Sequence, residues 1–415
     1  MATCPSASWP RACVEGDHRT GSINIAFKSA AIGRFIRVAA KRAIIGAKLL
    51  NGLGEGAMWA TLTRLESWLN RIDPGTHRRI KGLRLVTAYG IAAGLGTLKD
   101  VSADVPSSVS LATLAGGFAL WASVSEGQAS RYASTRDLTF LCLACALGAS
   151  SYALLSPWLG QFGHAWPESI LVVGAFLVGY LKRYGITGAG VGSQIYIGQL
   201  LAYGAKLTPL DMPAIGIATL ISIVSAVVPR VLSGPAEQPV QPLPLASTAV
   251  VRDRMVSAEI AMGLQAATAA CVVVILNGLF GLIESEWAIT ACVYVVAGTA
   301  SGTRDRVRRR VVGTLVGVPL GLLCMPLAGN APLLLWCAAS LAMVIYAMAL
   351  PERYDVACAA FAFVLVITLA VSGEHSFAFL SARAWETILG GLLGMIAATY
   401  LLPLRPLSER QETSI

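Results

Sequence analysis

Apolar segments follow one another from residue 82 to residue 403, and almost no ionisable side chain falls inside them. They run over 82–98, 107–124, 137–155, 167–181, 186–204, 212–232, 259–282, 286–301, 311–328, 331–350, 355–372 and 384–403. A helix needs about 20 apolar residues to cross a bilayer, and lipid leaves only helices and closed barrels able to satisfy their backbones. Alternation over segments of roughly ten residues, the mark of a barrel, is missing. Composition agrees: 55% of the 415 residues are hydrophobic and 13% charged, against about 25% charged in soluble domains. An ordinary soluble enzyme and a disordered chain are both excluded. The expected fold is all-α, a polytopic membrane protein of about twelve transmembrane helices.

The charges between the segments set an orientation. Net charge is +9, and the basic residues fall mainly into alternate loops. One set of loops holds Arg78, Arg79, Lys81 and Arg84; Arg131 and Arg136; Lys182 and Arg183; Arg230, Arg252 and Arg254; Arg304, Arg306, Arg308, Arg309 and Arg310; Arg353; Arg405 and Arg410. The other set holds only Lys99, Lys206 and Arg383, beside Asp100, Asp104, Asp211, Glu284, Glu286 and Glu374. Cytoplasmic loops carry the basic excess. Both termini are therefore expected on the cytoplasmic side of a bacterial inner membrane.

The segments also divide into two sets of six. Arg136 and Arg310 each precede a third segment, Pro229 and Pro403 each close a sixth, and both pairs stand 174 residues apart. Arg183-Tyr184 and Arg353-Tyr354 each precede a fifth segment, 170 apart. Equal offsets at equivalent points indicate an internal repeat. Six segments per copy make the copies parallel, related by an axis along the membrane normal. The expected organisation is a cytoplasmic N-terminal part (1–81), a first six-helix repeat (82–232), a Pro-rich cytoplasmic linker (233–256), a second repeat (257–405) and a tail (406–415). Within 1–81, Met58, Trp59, Leu62, Leu65, Leu69 and Ile72 share a helical face, which reads as an amphipathic helix on the membrane surface. Two readings of 1–57 stand: a basic interfacial helix carrying Arg34, Arg37, Lys41 and Lys48, or untranslated sequence with Met58 as the initiator.

No nucleophile elbow, zinc-ligand spacing or phosphate-binding loop occurs, so neither enzyme activity nor a cofactor is expected. The four histidines are scattered, no metal site is expected, and a nucleic-acid partner is not either. Seven of the nine cysteines lie within apolar segments, where they read as small buried residues.

Three groups of residues are candidates for function. Arg306 and Arg310, with Arg136, Arg183 and Arg353 at the same expected face, form an anion-attracting array, since guanidinium forks pair with carboxylates; orientation alone accounts for several of them. Glu386, Glu259 and Asp355 are candidates for proton coupling, although carboxylates near helix ends are commonly solvated or paired. Arg383, three residues before Glu386, breaks the charge alternation. Gly313, Gly317 and Gly321, and Gly390 and Gly394, recur every fourth residue, the spacing at which small side chains let two helices approach closely. Pro319 implies a kink, and Gly188, Gly190, Gly192 and Gly198 imply bending or unwinding in the fifth segment. Gln194, Gln199, Gln265 and Asn277 either bond helix to helix or line a path.

With these residues assembled, the chain resembles the fusaric acid resistance protein-like family, which includes bacterial aromatic carboxylic acid efflux proteins. The resemblance rests on Trp287-Ala288-Ile289-Thr290, the Arg304–Arg310 run, Arg310-Val311-Val312-Gly313-Thr314-Leu315-Val316-Gly317, and Arg383-Ala384-Trp385-Glu386-Thr387-Ile388-Leu389-Gly390 through Leu402-Pro403. It covers 257–405 well and 82–232 less well, where Thr139 and Phe140 stand in the places of Gly313 and Thr314. Larger members carry a soluble domain between the halves, for which 233–254 is too short. The resemblance implies a secondary exporter of aromatic or related organic anions, driven by the proton gradient. It also brings in a periplasmic membrane-fusion protein as a partner of some relatives. A passive organic-anion channel, as in related plant malate channels, stays open. So does a non-transporting membrane scaffold, and the oligomeric state, homo-oligomer included, is not fixed by the sequence.

Overall fold

The computed structural model describes residues 63–64, 67, 70, 73, 77–98, 110–127, 130–233, 257–283, 285–297, 299–371, 373 and 376–403. Contacts divide the chain into two units, Met1–Ile72 and Asp73–Ile415. In the first, Thr63, Arg64, Ser67 and Asn70 are helical and exposed. The rest of the expected amphipathic helix, residues 1–57, the linker beyond Ser233 and the tail after Pro403 lie outside the described residues.

All regular structure among the described residues of the second unit is helical. In order, its α-helices are α1 (His77–Gly96), α2 (Leu111–Ser125), α3 (Arg131–Gly160), α4 (Ser169–Tyr180), α5 (Gly185–Gly204) and α6 (Met212–Leu232). They continue as α7 (Ala258–Phe280), α8 (Ser285–Val295), α9 (Ala300–Cys324), α10 (Pro332–Ala349), α11 (Tyr354–Val371) and α12 (Phe377–Tyr400). Seven segments are long and apolar enough to cross a membrane: α3, the run Trp166–Gly204, and those containing α6, α7, α9, α10 and α11. The protein is thus a multi-pass membrane protein. Trp166–Gly204 is not one straight rod. Gly185 has φ +76°, a left-handed conformation that ends the turn Leu181–Tyr184 and starts α5 in a new direction. Gly192 then lies against Leu177, and Gly174 against Tyr196, so α4 and α5 run antiparallel.

Outside those seven, α1 opens with Arg78, Arg79, Lys81 and Arg84, and α12 carries Arg383 and Glu386. α2 and α8 are short. α8, at 11 residues, spans about 16 Å, roughly half of a ~30 Å hydrocarbon core. The expected segment 286–301 is thereby corrected, because the helix stops at Val295 and restarts at Ala300. The break satisfies its own backbone: Thr303 Oγ1 accepts from Ala297 N at 3.0 Å, Arg306 Nη1 donates to the Val296 carbonyl at 3.4 Å, and Thr299 caps α9.

Packing within α1–α6 and within α7–α12 follows one scheme. In the first set α3 packs on α5 and α6, α1 on α2 and α6, α2 on α6, and α4 on α5. In the second set α9 packs on α11 and α12, α7 on α8 and α12, α8 on α12, and α10 on α11. Between the sets, α4 packs on α7 and α10 packs on α1. Trp121 of α2 meets the Phe361 ring of α11 at 5.3 Å, and Tyr196 of α5 meets the Tyr294 ring of α8 at 6.0 Å.

Missing side chains make the closest crossings. A Cβ at Gly321 would lie 2.7 Å from Val366 Cβ, and one at Gly317 would lie 2.9 Å from Ala362 Cβ, so the glycine face of α9 rests on α11. Gly390 and Gly394 of α12 rest likewise on Ala288, Cys292 and Val295 of α8. α5 is a continuous helix, not unwound; its glycines admit the backbones of α3 at Gly198 and of α4 at Gly192. α9 also continues through Pro319.

Candidate functional site

The cleft of interest opens between α8, α9, α11 and α12. Its walls are Trp287 of α8, Arg310 and Thr314 of α9, Phe361 of α11, and Arg383 and Thr387 of α12, closed below by Val318, Cys358, Ala362 and Leu365. Arg310 enters this wall because α9 begins at Ala300, three turns before the apolar part of the sequence. The arginine run is therefore helical, and its last member lies well along a 25-residue helix. Thr303 and Val307 are buried while Arg304, Arg306 and Arg308 are exposed, so Arg310, half-buried, belongs to the inner face of the same helix.

Arg383 is 3% exposed, with its guanidinium carbon 3.4 Å from the Trp287 ring centroid. A desolvated cation–π contact of this kind contributes about 2 kcal/mol, which offsets much of the roughly 2.5–3.5 kcal/mol that a buried arginine costs in the bilayer. Arg310 donates from Nη1 to the Tyr354 hydroxyl at 3.3 Å. Two further donors are buried and have no acceptor among the described residues: Arg310 Nε and Trp287 Nε1. Neither group can accept a hydrogen bond, and a buried donor left unsatisfied costs about 1–3 kcal/mol. An acceptor entering the cleft would satisfy both donors.

The other arginines named from sequence do not reach the cleft. Arg136 is 56% exposed beside Asp137, Arg183 stacks on the rings of Tyr180 and Tyr184, and Arg353 pairs with Asp355 at 3.4 Å. Arg306 is exposed and caps the carbonyl end of α8. Among the carboxylates, Glu259 and Asp355 occupy the first turns of α7 and α11, where the helix dipole favours negative charge. Glu386 is fully buried, one turn from Arg383 on α12. The glutamines bond between helices: Gln194 to the Trp121 carbonyl and Ser125, Gln265 to the Leu401 and Leu402 carbonyls.

Residues 269–397 match the family described as fusaric acid resistance protein-like. This is a family of membrane transport proteins, and the matched stretch includes every residue that lines the cleft. No curated protein and no solved structure matches the chain.

Two sites outside the sequence candidates stand out. Arg383 had one signal, its position in the loop set poor in basic residues, and Trp287 had only its place in the family-like motif. Glu168 carried none beyond lying near a helix end; its partners Tyr203, Asn277 and Ser285 are 35, 109 and 117 residues away.

Proposed function

We propose that the chain is a secondary exporter of organic anions, with aromatic carboxylates as its substrate class, acting in a bacterial inner membrane. The observation that carries the reading is the pair of acceptor-less donors, Arg310 Nε and Trp287 Nε1, in a cleft that also holds Arg383 and Phe361. Guanidinium groups bind the carboxylate, and the ring of the substrate lies against Trp287 and Phe361 once the cleft, about 30 Å³ in this conformation, has widened. The exposed Arg304, Arg306 and Arg308 raise the local anion concentration at the mouth of α9.

The same proposal includes twelve membrane spans in two parallel six-helix repeats, with both termini cytoplasmic; α8 covers about half of its crossing and the residues that follow it complete the rest. The matched packing of α1–α6 and α7–α12 supports it, as does the reciprocal docking of α4 on α7 and α10 on α1. The antiparallel turn at Gly185 supports reading α4 and α5 as two crossings.

The test is export of 4-hydroxybenzoate and related acids from cells lacking other exporters. Arg310→Gln, at equal membrane abundance, should lower export about tenfold or more, because a hydrogen bond to a charged group contributes about 1.5–3 kcal/mol. Arg308→Gln, on the exposed face, should lower export by much less than Arg310→Gln does, because it removes one screened surface charge and no donor of the cleft. Unchanged export by the Arg310 variant refutes the cleft assignment. Currents far above carrier turnover from the reconstituted protein would reassign it as a channel.

A further inference from the structure

A buried carboxylate that the anion cleft does not use lies at the seam between α1–α6 and α7–α12. Glu168 ends the single turn Trp166–Glu168 before α4 and is 1% exposed. Its Oε1 accepts three hydrogen bonds: from the Tyr203 hydroxyl at 2.6 Å, from Asn277 Nδ2 at 2.6 Å and from Ser285 Oγ at 2.8 Å. Glu168 and Tyr203 come from the first set of helices, Asn277 and Ser285 from α7 and α8. Its Oε2 is buried and has no hydrogen-bond partner among the described residues. Ser285 opens α8, which runs back toward the start of α9, so this cluster lies at the end of the bundle opposite the arginine run.

The arrangement accommodates two protonation states. As an anion, Glu168 draws three donors onto one oxygen, and hydrogen bonds to an ionised group are roughly twice as strong as neutral ones. A proton added at Oε2 removes the charge and displaces none of the three donors, which remain on Oε1. The clamp across the seam is therefore strong when the group is ionised and weak when it is neutral. A group with that property, joining the two sets of helices, biases a two-state rearrangement between them.

We propose that Glu168 is the proton-coupling group of the transporter, and this rests on the exporter reading above. Proton uptake forms one O–H bond at Oε2 and cancels one negative charge; release breaks that bond and returns the proton to water. The titratable neighbours are Tyr203 on α5 and Tyr152 on α3, whose rings meet edge-on at 5.8 Å, with His164 in the loop before Glu168 and Glu286 on α8. Tyr203 is itself one of the three donors to Oε1, and Tyr152, His164 and Glu286 are not among those donors.

Infrared difference spectra of the purified protein in lipid, between acid and alkaline pH, read the group directly. The wild type should show the carbonyl stretch of a protonated carboxyl that titrates, Glu168→Gln should lose it, and Glu168→Asp should keep one. Tyr203→Phe should move the band to higher wavenumber, because the carbonyl oxygen loses a donor. In proteoliposomes loaded with 4-hydroxybenzoate, Glu168→Gln should keep exchange of labelled for unlabelled acid and lose its acceleration by an imposed pH gradient. A full titrating band in Glu168→Gln, or a wild-type response of that variant to the gradient, overturns the proposal. If the wild type moves no organic acid, the exporter reading fails, and the infrared band alone decides whether Glu168 is a proton site.

Discussion

Consider replacing Gly317 by alanine, with Gly391 as the comparison. Both are helical glycines in the second set of helices, one on α9 and one on α12. At Gly317 the new methyl meets Ala362 Cβ at 2.9 Å, and the Ala359 carbonyl oxygen is nearer still. Carbon–carbon contacts are favourable at about 3.5–4.0 Å, so α9 and α11 must separate by more than half an ångström. Neither obstacle is the free end of a flexible side chain. Such overpacking costs about 1–3 kcal/mol. At Gly391 the nearest atom is Val307 Cγ1 at 3.4 Å, an ordinary contact, and alanine gains up to about 1 kcal/mol of helix propensity. The propensity gain is common to both helical sites and cancels, so the two substitutions should differ by the overpacking alone, about 1–3 kcal/mol in unfolding free energy measured on purified protein. Function should follow the same order. Moving α11 carries Phe361 and Ala362 away from Arg310, so Gly317→Ala should also weaken binding of 4-hydroxybenzoate, and Gly391→Ala should not. Stabilities within about 0.5 kcal/mol of each other, the usual spread for substitutions away from special features, would refute the view that the α9–α11 spacing is set by the glycine face.

Arg84 and Glu126 form an ion pair at 2.9 Å with side chains 3% and 2% exposed. Glu126→Gln should cost about 3–5 kcal/mol, and Arg84→Met with Glu126→Leu should recover most of it, because only the single change strands a buried charge; thermal unfolding of the three proteins decides. Trp287→Leu removes both the cation–π support of Arg383 and an aromatic wall, and should weaken binding of an aromatic carboxylate about tenfold or more by equilibrium titration. The Arg78–Glu352 pair at 2.6 Å is 24% and 67% exposed, so Glu352→Gln should change stability by less than about 1 kcal/mol. Hydrogen bonding to Arg78 holds the Glu352 carboxyl below its ordinary value. Its small contribution should be present above the ordinary glutamate range and vanish as pH falls through the lowered value, where wild type and variant should unfold alike.

The segments of the helical bundle were legible because lipid imposes one strong rule, an uninterrupted apolar run, and the sequence obeys it from residue 82 onward. Arg310 and the glycines of α9 were legible for a similar reason, since each sits on a simple periodic pattern. α8 was read too long because Val296 and Ala297 continue its apolar run and no charge follows until Arg304; its end depends on Thr303 and Arg306 taking over backbone groups, which composition cannot show. Arg383 and Trp287 were each visible, but their contact depends on α12 crossing α8 at Gly390. Glu168 was the least legible. Its meaning lies entirely in Asn277 and Ser285, which reach it only when α4 docks on α7.

The two sets of helices pack alike although their glycines lie on different helices. The parallel crossing of α9 and α11 is made close by Gly317 and Gly321 on α9, whereas the matching crossing of α3 and α5 uses Gly148 on α3 together with Gly190 and Gly198 on α5. A close crossing needs a row of absent side chains on either partner, so the glycines can move between helices while the spacing persists. Chemistry has no such freedom. Stepping back 174 residues from Trp287, Arg310, Thr314, Arg383 and Thr387 gives Thr113, Arg136, Phe140, Pro209 and Pro213. Only the arginine is shared, and Arg136 is 56% exposed and set beside Asp137. The first set therefore shares the packing scheme of the second without the donors of its cleft. An anion bound in the second set would have to influence the first through the surfaces where they meet. The clamp of Glu168 with Asn277 and Ser285 lies on such a surface, so the unequal chemistry of two similarly packed sets gives the seam between them its importance.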